Sequence, residues 1–191
     1  MSEDKNLENL SDTWLNQGNK PISYFCADQW QYLHLFDKHF SDFSGKIIEI
    51  GPGTGYLCKH IMNSYPGVEY TILDIKKNID QLRHKYIPKE QADLINFVDS
   101  SNYKEVFEEE YDLLISTFCL PETPKYYWKD ILDNIKVDNC FIIDDGKWCD
   151  YENYRNQWLQ NSFESSDETE WIHIISGYEQ KGIQLSIGKK R

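Results

Sequence analysis

The segment Ile47-Ile48-Glu49-Ile50-Gly51-Pro52-Gly53-Thr54-Gly55 constrains this chain more than any other. A short run rich in β-branched apolar residues has the pattern of a buried strand. Glycines at alternate positions behind it allow a backbone turn that bulky residues resist. The stretch Tyr56–Ser64 that follows has helical spacing. Strand, glycine turn and helix in that order form the opening unit of a parallel sheet with crossover helices.

The same alternation continues downstream. Strands are expected at Ile47–Ile50, Glu69–Asp74, Leu94–Val98, Asp112–Thr117, Cys140–Asp144, Trp171–Ser176 and Ile183–Ile187. Helices are expected at Tyr56–Ser64, Lys77–Tyr86, Tyr103–Glu109, Pro124–Ile135 and Trp148–Phe163. Only Gly177 to Gly182 separates the last two strands, which is too short for a crossover helix, so they must pair antiparallel as a hairpin. The expected fold is α/β, in three layers: a seven-stranded, mostly parallel sheet ending in an antiparallel C-terminal hairpin.

With 191 residues, 40% of them hydrophobic, the chain has material for one core. No repeat or linker divides it. Residues 1–45 read as an N-terminal helical extension, and residues 46–191 as the main domain of one compact unit. In the extension, Phe25, Trp30, Leu33, Phe36, Phe40 and Phe43 recur mostly three and four positions apart, as on an amphipathic helix that could act as a lid.

Lys and Arg total 20 against 32 Asp and Glu, a net charge of −12. That field repels phosphate backbones and anionic lipid, so neither nucleic acid nor a membrane is the expected partner. No window approaches the roughly 20 apolar residues of a spanning helix, and the start is too polar for a signal peptide. A cytoplasmic protein is expected. The 5 cysteines contain no C-x-x-C pair, so they are read as reduced, with Cys119 and Cys140 in the core.

The turn itself narrows the ligand. A dinucleotide fingerprint G-x-G-x-x-G would need glycine at 56, where this chain has Tyr56, and a P-loop lysine is absent. The remaining common ligand of such a turn is S-adenosylmethionine, which offers an amino-acid end, a ribose and an adenine. Asp74, 19 residues after Gly55, closes the second strand, where its oxygens can accept from two ribose hydroxyls. Asp99 closes the third and can accept from the adenine amine. The fourth ends at Ser116-Thr117, where the cofactor's amino-acid end should lie. A nucleotide-binding protein, or a scaffold that keeps the fold without catalysis, remains an alternative.

With these residues in register, the chain resembles the class I S-adenosylmethionine-dependent methyltransferases, from about Lys46 to the C-terminus. Within that superfamily, Tyr70-Thr71-Ile72-Leu73-Asp74-Ile75 together with Ser116-Thr117-Phe118-Cys119-Leu120-Pro121-Glu122 is similar to a group of sugar O-methyltransferases. The resemblance implies a Rossmann-like sheet whose final strand is antiparallel. It also implies that Glu49, Gly51, Gly53 and Gly55 cradle the methionine part of S-adenosylmethionine. Asp74 would hold the ribose, Asp99 with Ser100 the adenine end, and the Ser116 backbone the ammonium.

The expected acceptor is a small molecule. Glu122, just past the fourth strand, is the first candidate for a general base, and His34 or His39 on the N-terminal helix would serve if that helix closes over the site. Tyr24 and Asp145 are candidate substrate contacts. Asp144-Asp145-Gly146 invites a metal reading, since hard cations take carboxylate oxygens. Metal-dependent members of this fold also carry an acid at the end of the fourth strand, where this chain has Ser116-Thr117, so no metal is expected.

Overall fold

The computed structural model describes the backbone of residues 23–144, 149–163, 170–176 and 179–189, and the side chains of 32–144, 150–163 and 185–188. Helix α1 (Ser23–Phe40) leads into β1 (Gly45–Ile50), α2 (Tyr56–Ser64) and β2 (Val68–Asp74). Helix α3 (Lys76–Gln81) widens into a π turn (Leu82–Tyr86), and a one-turn α4 (Lys89–Ala92) precedes β3 (Ile95–Asp99). A 3-10 segment (Ser100–Phe107), β4 (Glu110–Thr117) and a 3-10 turn (Leu120–Glu122) follow. The chain continues through α5 (Lys125–Asn134), β5 (Lys136–Asp144), α6 (Cys149–Ser162), β6 (Glu170–Ser176) and β7 (Glu179–Lys189).

The strands form one sheet in the order β3-β2-β1-β4-β5-β7-β6. Neighbours among β1 to β5 are parallel, whereas β7 runs antiparallel to both β5 and β6. This is the expected mixed α/β sheet with antiparallel C-terminal strands. Helices cover both faces because β1 alternates between two cores. Ile47 packs with Phe36 and Phe40 of α1 and with Cys58 and Ile61 of α2. Ile48 and Ile50 pack with Tyr127, Trp128 and Ile131 of α5 and with Tyr151 and Leu159 of α6.

The C-terminal half of α1 is anchored by more than apolar contact. Phe36 is fully buried edge-on against Phe141 of β5 and Tyr65. Asp37 accepts hydrogen bonds from the Tyr65 hydroxyl (2.5 Å) and His60 Nε2 (2.8 Å), tying α1 to α2. Among the described residues, no helix is long and apolar enough to cross a membrane.

Several boundaries differ from expectation. Strand β5 begins at Lys136 because Val137 pairs with Tyr111, so the polar residues around it still join the ladder. The helix expected at Tyr103–Glu109 is a 3-10 segment that starts earlier, at Ser100, where Asp99 accepts from Ser101 N–H (2.9 Å), and it kinks at Asn102. The helix expected at Lys77–Tyr86 ends in the π turn, which lets Leu82 and Ile87 both press on Gly55.

Candidate active site

Strand β1 lies between β2 and β4, and the carboxyl ends of all three open on one edge of the sheet. The order reverses direction between β1 and β4, which leaves a crevice outside those ends for a ligand. Ile50 pairs with Ser116, so the glycine turn and the residues after β4 face each other across that crevice.

The turn has one closed and one open position. Gly51 has φ 65, and its N–H donates to the Leu73 carbonyl (3.0 Å). A Cβ built there would lie 2.1 Å from Cys119 Sγ, so the loop after β4 is docked directly against it. Gly53 has φ 59, yet a Cβ there would meet nothing within 4 Å. The backbone at Gly53 is thus bare toward open space, as a ligand cradle requires. Gly55 is buried at the start of α2.

Acidic side chains gather on this edge. Glu49 is 1% exposed, and its Oε2 accepts from the Tyr70 hydroxyl (2.9 Å). Its other oxygen, Oε1, is buried without a hydrogen-bond partner. Burial pushes the Glu49 carboxyl up to about 7, with the Tyr70 bond opposing and Asp74 adding. Asp74 accepts from Ile75 N–H (2.7 Å) and from Asn78 Nδ2 (2.5 Å). The same amide donates to the Gly53 carbonyl (3.1 Å) and so fastens the glycine turn to the end of β2. Burial raises Asp74 to about 6; the bonds from Asn78 and Ile75 work against the rise, and neighbouring Asp99 adds to it. Asp99 pairs with Asp74 in register and also accepts from the Ser101 hydroxyl (2.9 Å), while Ser100 is buried beside it.

The loop after β4 supplies the opposite wall. Ser116 is fully buried, and its Oγ accepts from Leu120 N–H (3.4 Å). Phe118 has φ 60, a left-handed conformation that costs about 1–3 kcal/mol in a bulky residue and clusters at functional sites. Its N–H donates to the Ile143 carbonyl (2.7 Å), which pins the kink to β5. The kink directs Cys119 at Gly51 and sets the Phe118 ring 5.9 Å from that of Tyr32, on α1. Burial pushes the Cys119 thiol up, and the carboxylates of Asp74, Glu122 and Glu49 push the same way.

Glu49, Asp74 and Glu122, predicted from sequence, are therefore brought together around the contact of Gly51 with Cys119. Glu122 sits in its own 3-10 turn, separate from α5. Cys119, expected in the core, is half-buried: it packs against the core that Ile48 and Ile50 share with α5 and α6, and also against Gly51. His34 is exposed on α1, within the field of Asp37, and His39 lies farther along the same helix. The side chain of Tyr24 and the whole of Asp145 lie outside the described residues. Asp144 is buried and paired with the guanidinium of Arg155, on α6.

Sequence reasoning missed Asn78 and Arg155. Asn78, four residues after Asp74 on a predicted helix, could have been found as its i,i+4 neighbour. For Arg155 the only hint was a lone arginine on the helix after β5.

A glycine turn at the switch point, a buried carboxylate with an unpartnered oxygen beside it and an acid closing β2 form a crevice suited to a ligand that carries a cationic group and hydroxyls. The chain belongs to the O-methyltransferase domain family, whose model matches residues 7–136. The residues present fit the S-adenosylmethionine that this family uses: Gly53 leaves room for it, and Glu49 Oε1 awaits a donor.

Solved structures share the fold. The N-methyltransferase NodS from Bradyrhizobium japonicum WM9, in complex with S-adenosyl-l-homocysteine, matches with TM-score 0.59 and 11% identity over 86% of this chain and 87% of that one. An O-methyltransferase family protein from Burkholderia thailandensis matches with TM-score 0.60 and 10% identity over 85% and 56%. An rRNA methylase from Streptococcus thermophilus matches with TM-score 0.55 and 11% identity over 83% and 94%. A search of curated proteins by sequence found no match.

Proposed function

We propose that this methyltransferase transfers its methyl group to a hydroxyl of a small acceptor, a sugar or sugar derivative. What carries this reading is the convergence of Glu49, Asp74 and Glu122 at the crevice beside the glycine turn. Supporting a small acceptor, the net charge of −12 disfavours a polyanion such as RNA. The partly exposed rings of Tyr32 and Phe118 offer apolar faces on which a sugar ring could rest. Residues 46–191 carry the donor site, and the part of residues 1–45 that precedes the anchored half of α1 acts as a lid over the acceptor, with Tyr24 and Asp145 as acceptor contacts.

S-adenosylmethionine, when bound, supplies a methyl group on a positively charged sulfur. The chain's task is alignment and exclusion of water, which can provide an effective molarity of about 10⁵ M or more. Gly51, Gly53 and Gly55 would hold the donor's methionine part, and Glu49 would receive its cationic end together with the Ser116 backbone. Asp74 would accept from the ribose hydroxyls, and Asp99 with Ser100 would hold the adenine end. Glu122 takes the proton from the acceptor hydroxyl as its oxygen attacks; His34 serves if Glu122 does not. A positioned base of this kind contributes roughly 10²–10⁴-fold.

Asp74→Ala is expected to weaken S-adenosylmethionine binding by about 1–3 kcal/mol, because charge-assisted hydrogen bonds are lost. Calorimetry checks this, and unchanged affinity removes Asp74 from the ribose. Glu122→Gln is expected to lower single-turnover methyl transfer by about 10²-fold or more while donor affinity stays within twofold. A wild-type rate in that variant would move the base to His34. The acceptor itself is tested with labelled S-adenosylmethionine across sugars, sugar nucleotides, small phenols and structured RNA. Label on a sugar hydroxyl supports the proposal, and label only on RNA or on nitrogen rejects it.

A further inference from the structure

Among the described residues, the titratable groups acting on buried Glu49 include no cation. Its side chain is 1% exposed, one oxygen is held by Tyr70, and the other has no partner. The titratable groups that face it are Tyr70 and Asp74 from β2, the Cys58 thiol from α2 and the Cys119 thiol from the loop after β4. None of these is a cation. Lys59, on α2, acts on Cys58.

Burying a lone carboxylate is so costly that the group holds a proton instead, unless a cation arrives to pair with it. The glycine turn begins two residues on, and at Gly53 its backbone stands bare toward open space. A ligand entering there with a positive amino-acid end would bring the missing charge to the missing hydrogen-bond donor.

We propose that Glu49 is a proton-exchanging receptor for the ammonium end of the cofactor, so that S-adenosylmethionine binding expels a proton from the protein into solvent. This rests on the donor-site reading above and adds to it a regulation of the same site by pH. The exchange balances: Glu49 O–H gives its proton to buffer, and the carboxylate it leaves accepts from the ammonium N–H.

The sign follows from the free protein. With burial raising Glu49 to about 7, the group is half-protonated near neutrality before ligand arrives. A bound cation lowers that value, so affinity is full above pH 7 and falls as the pH drops through it. Between pH 8 and pH 6 the loss is about tenfold, the change in the fraction of ionised, binding-competent carboxyl. Asp74, raised to about 6, exchanges mainly at lower pH.

The test is titration calorimetry of the full chain with S-adenosylmethionine and with S-adenosylhomocysteine. It is run at pH 6.5 in phosphate and in imidazole, whose ionisation heats differ. Glu49 is expected to release about three-quarters of a proton per ligand bound, with both ligands, since both carry the ammonium. Glu49→Gln should lose that release and leave only the smaller share from Asp74. Tyr70→Phe, which removes the bond that opposes the rise, should move the release to higher pH, and it keeps the test open if the glutamine variant does not fold. Equal binding heats in the two buffers, or an undiminished release in Glu49→Gln, overturn the proposal while leaving the donor site intact. Failure of either ligand to bind the wild type overturns the donor site, and this proposal with it.

Discussion

Replacing Arg155 by methionine will lower the melting temperature by roughly 10 °C and leave an intact but weakened fold. Arg155 and Asp144 are both almost wholly inaccessible, at 0% and 1% exposure, and they are paired in the core between β5 and α6. Methionine removes the guanidinium but not the carboxyl group, which stays buried in the layer that holds Tyr151. Breaking a buried pair from one side costs about 3–5 kcal/mol. In a chain of this size each kcal/mol is worth roughly 2–4 °C.

The partner variant separates charge from packing. Asp144→Leu combined with Arg155→Met removes both charges and keeps apolar volume, so its stability should return to within about 1 kcal/mol of wild type or exceed it. Denaturant melts of the wild type, both single variants and the double variant supply the cycle. If Arg155→Met alone matches the wild type, the pair does not hold β5 to α6.

The structure gives Asp144 and Asp74 different surroundings. Both close a predicted strand, and from sequence each looked like a carboxylate offered to a ligand. What differs is the helix packed over the strand end. Helix α6 sends a long cation back into the layer beneath β5, whereas α3 sends the short amide of Asn78 to Asp74 and leaves that carboxylate partly exposed at the crevice. Such a pairing joins residues 11 apart through a tertiary contact, and no periodicity announces it.

The parallel strands were legible because buried apolar runs and the glycine turn are local signals that tertiary context reinforces. The start of β5 was not, since Lys136-Val137-Asp138-Asn139 joins the sheet through its ladder with β4 despite its polarity. The same limit applies to Phe118. Its left-handed backbone depends on the hydrogen bond to the Ile143 carbonyl, a residue 25 positions away whose placement only the folded sheet provides. Cys119 shows the same limit: it packs against the core as a cysteine beside a strand ordinarily does, but its contact with the glycine loop follows from the kink and has no local signal.

That contact gives the largest expected effect on the donor site. Gly51→Ala places a methyl group 2.1 Å from Cys119 Sγ and 2.4 Å from Cys119 Cβ, at a φ of 65 that alanine adopts only under strain. The strain costs about 1–2 kcal/mol, and relieving the overlap by moving the loop costs a further 1–3 kcal/mol. Because the loop also carries Phe118 and leads to Glu122, the movement disorders both walls of the crevice. S-adenosylmethionine affinity should therefore fall by at least 10²-fold, with a melting temperature several degrees lower. Gly51→Ala combined with Cys119→Gly removes both close contacts but keeps the strained φ, so it should recover part of the affinity, with a coupling of about 1–3 kcal/mol between the two sites. Additive losses in that cycle would mean that Gly51 is required for its backbone conformation alone and that Cys119 does not set the shape of the donor loop.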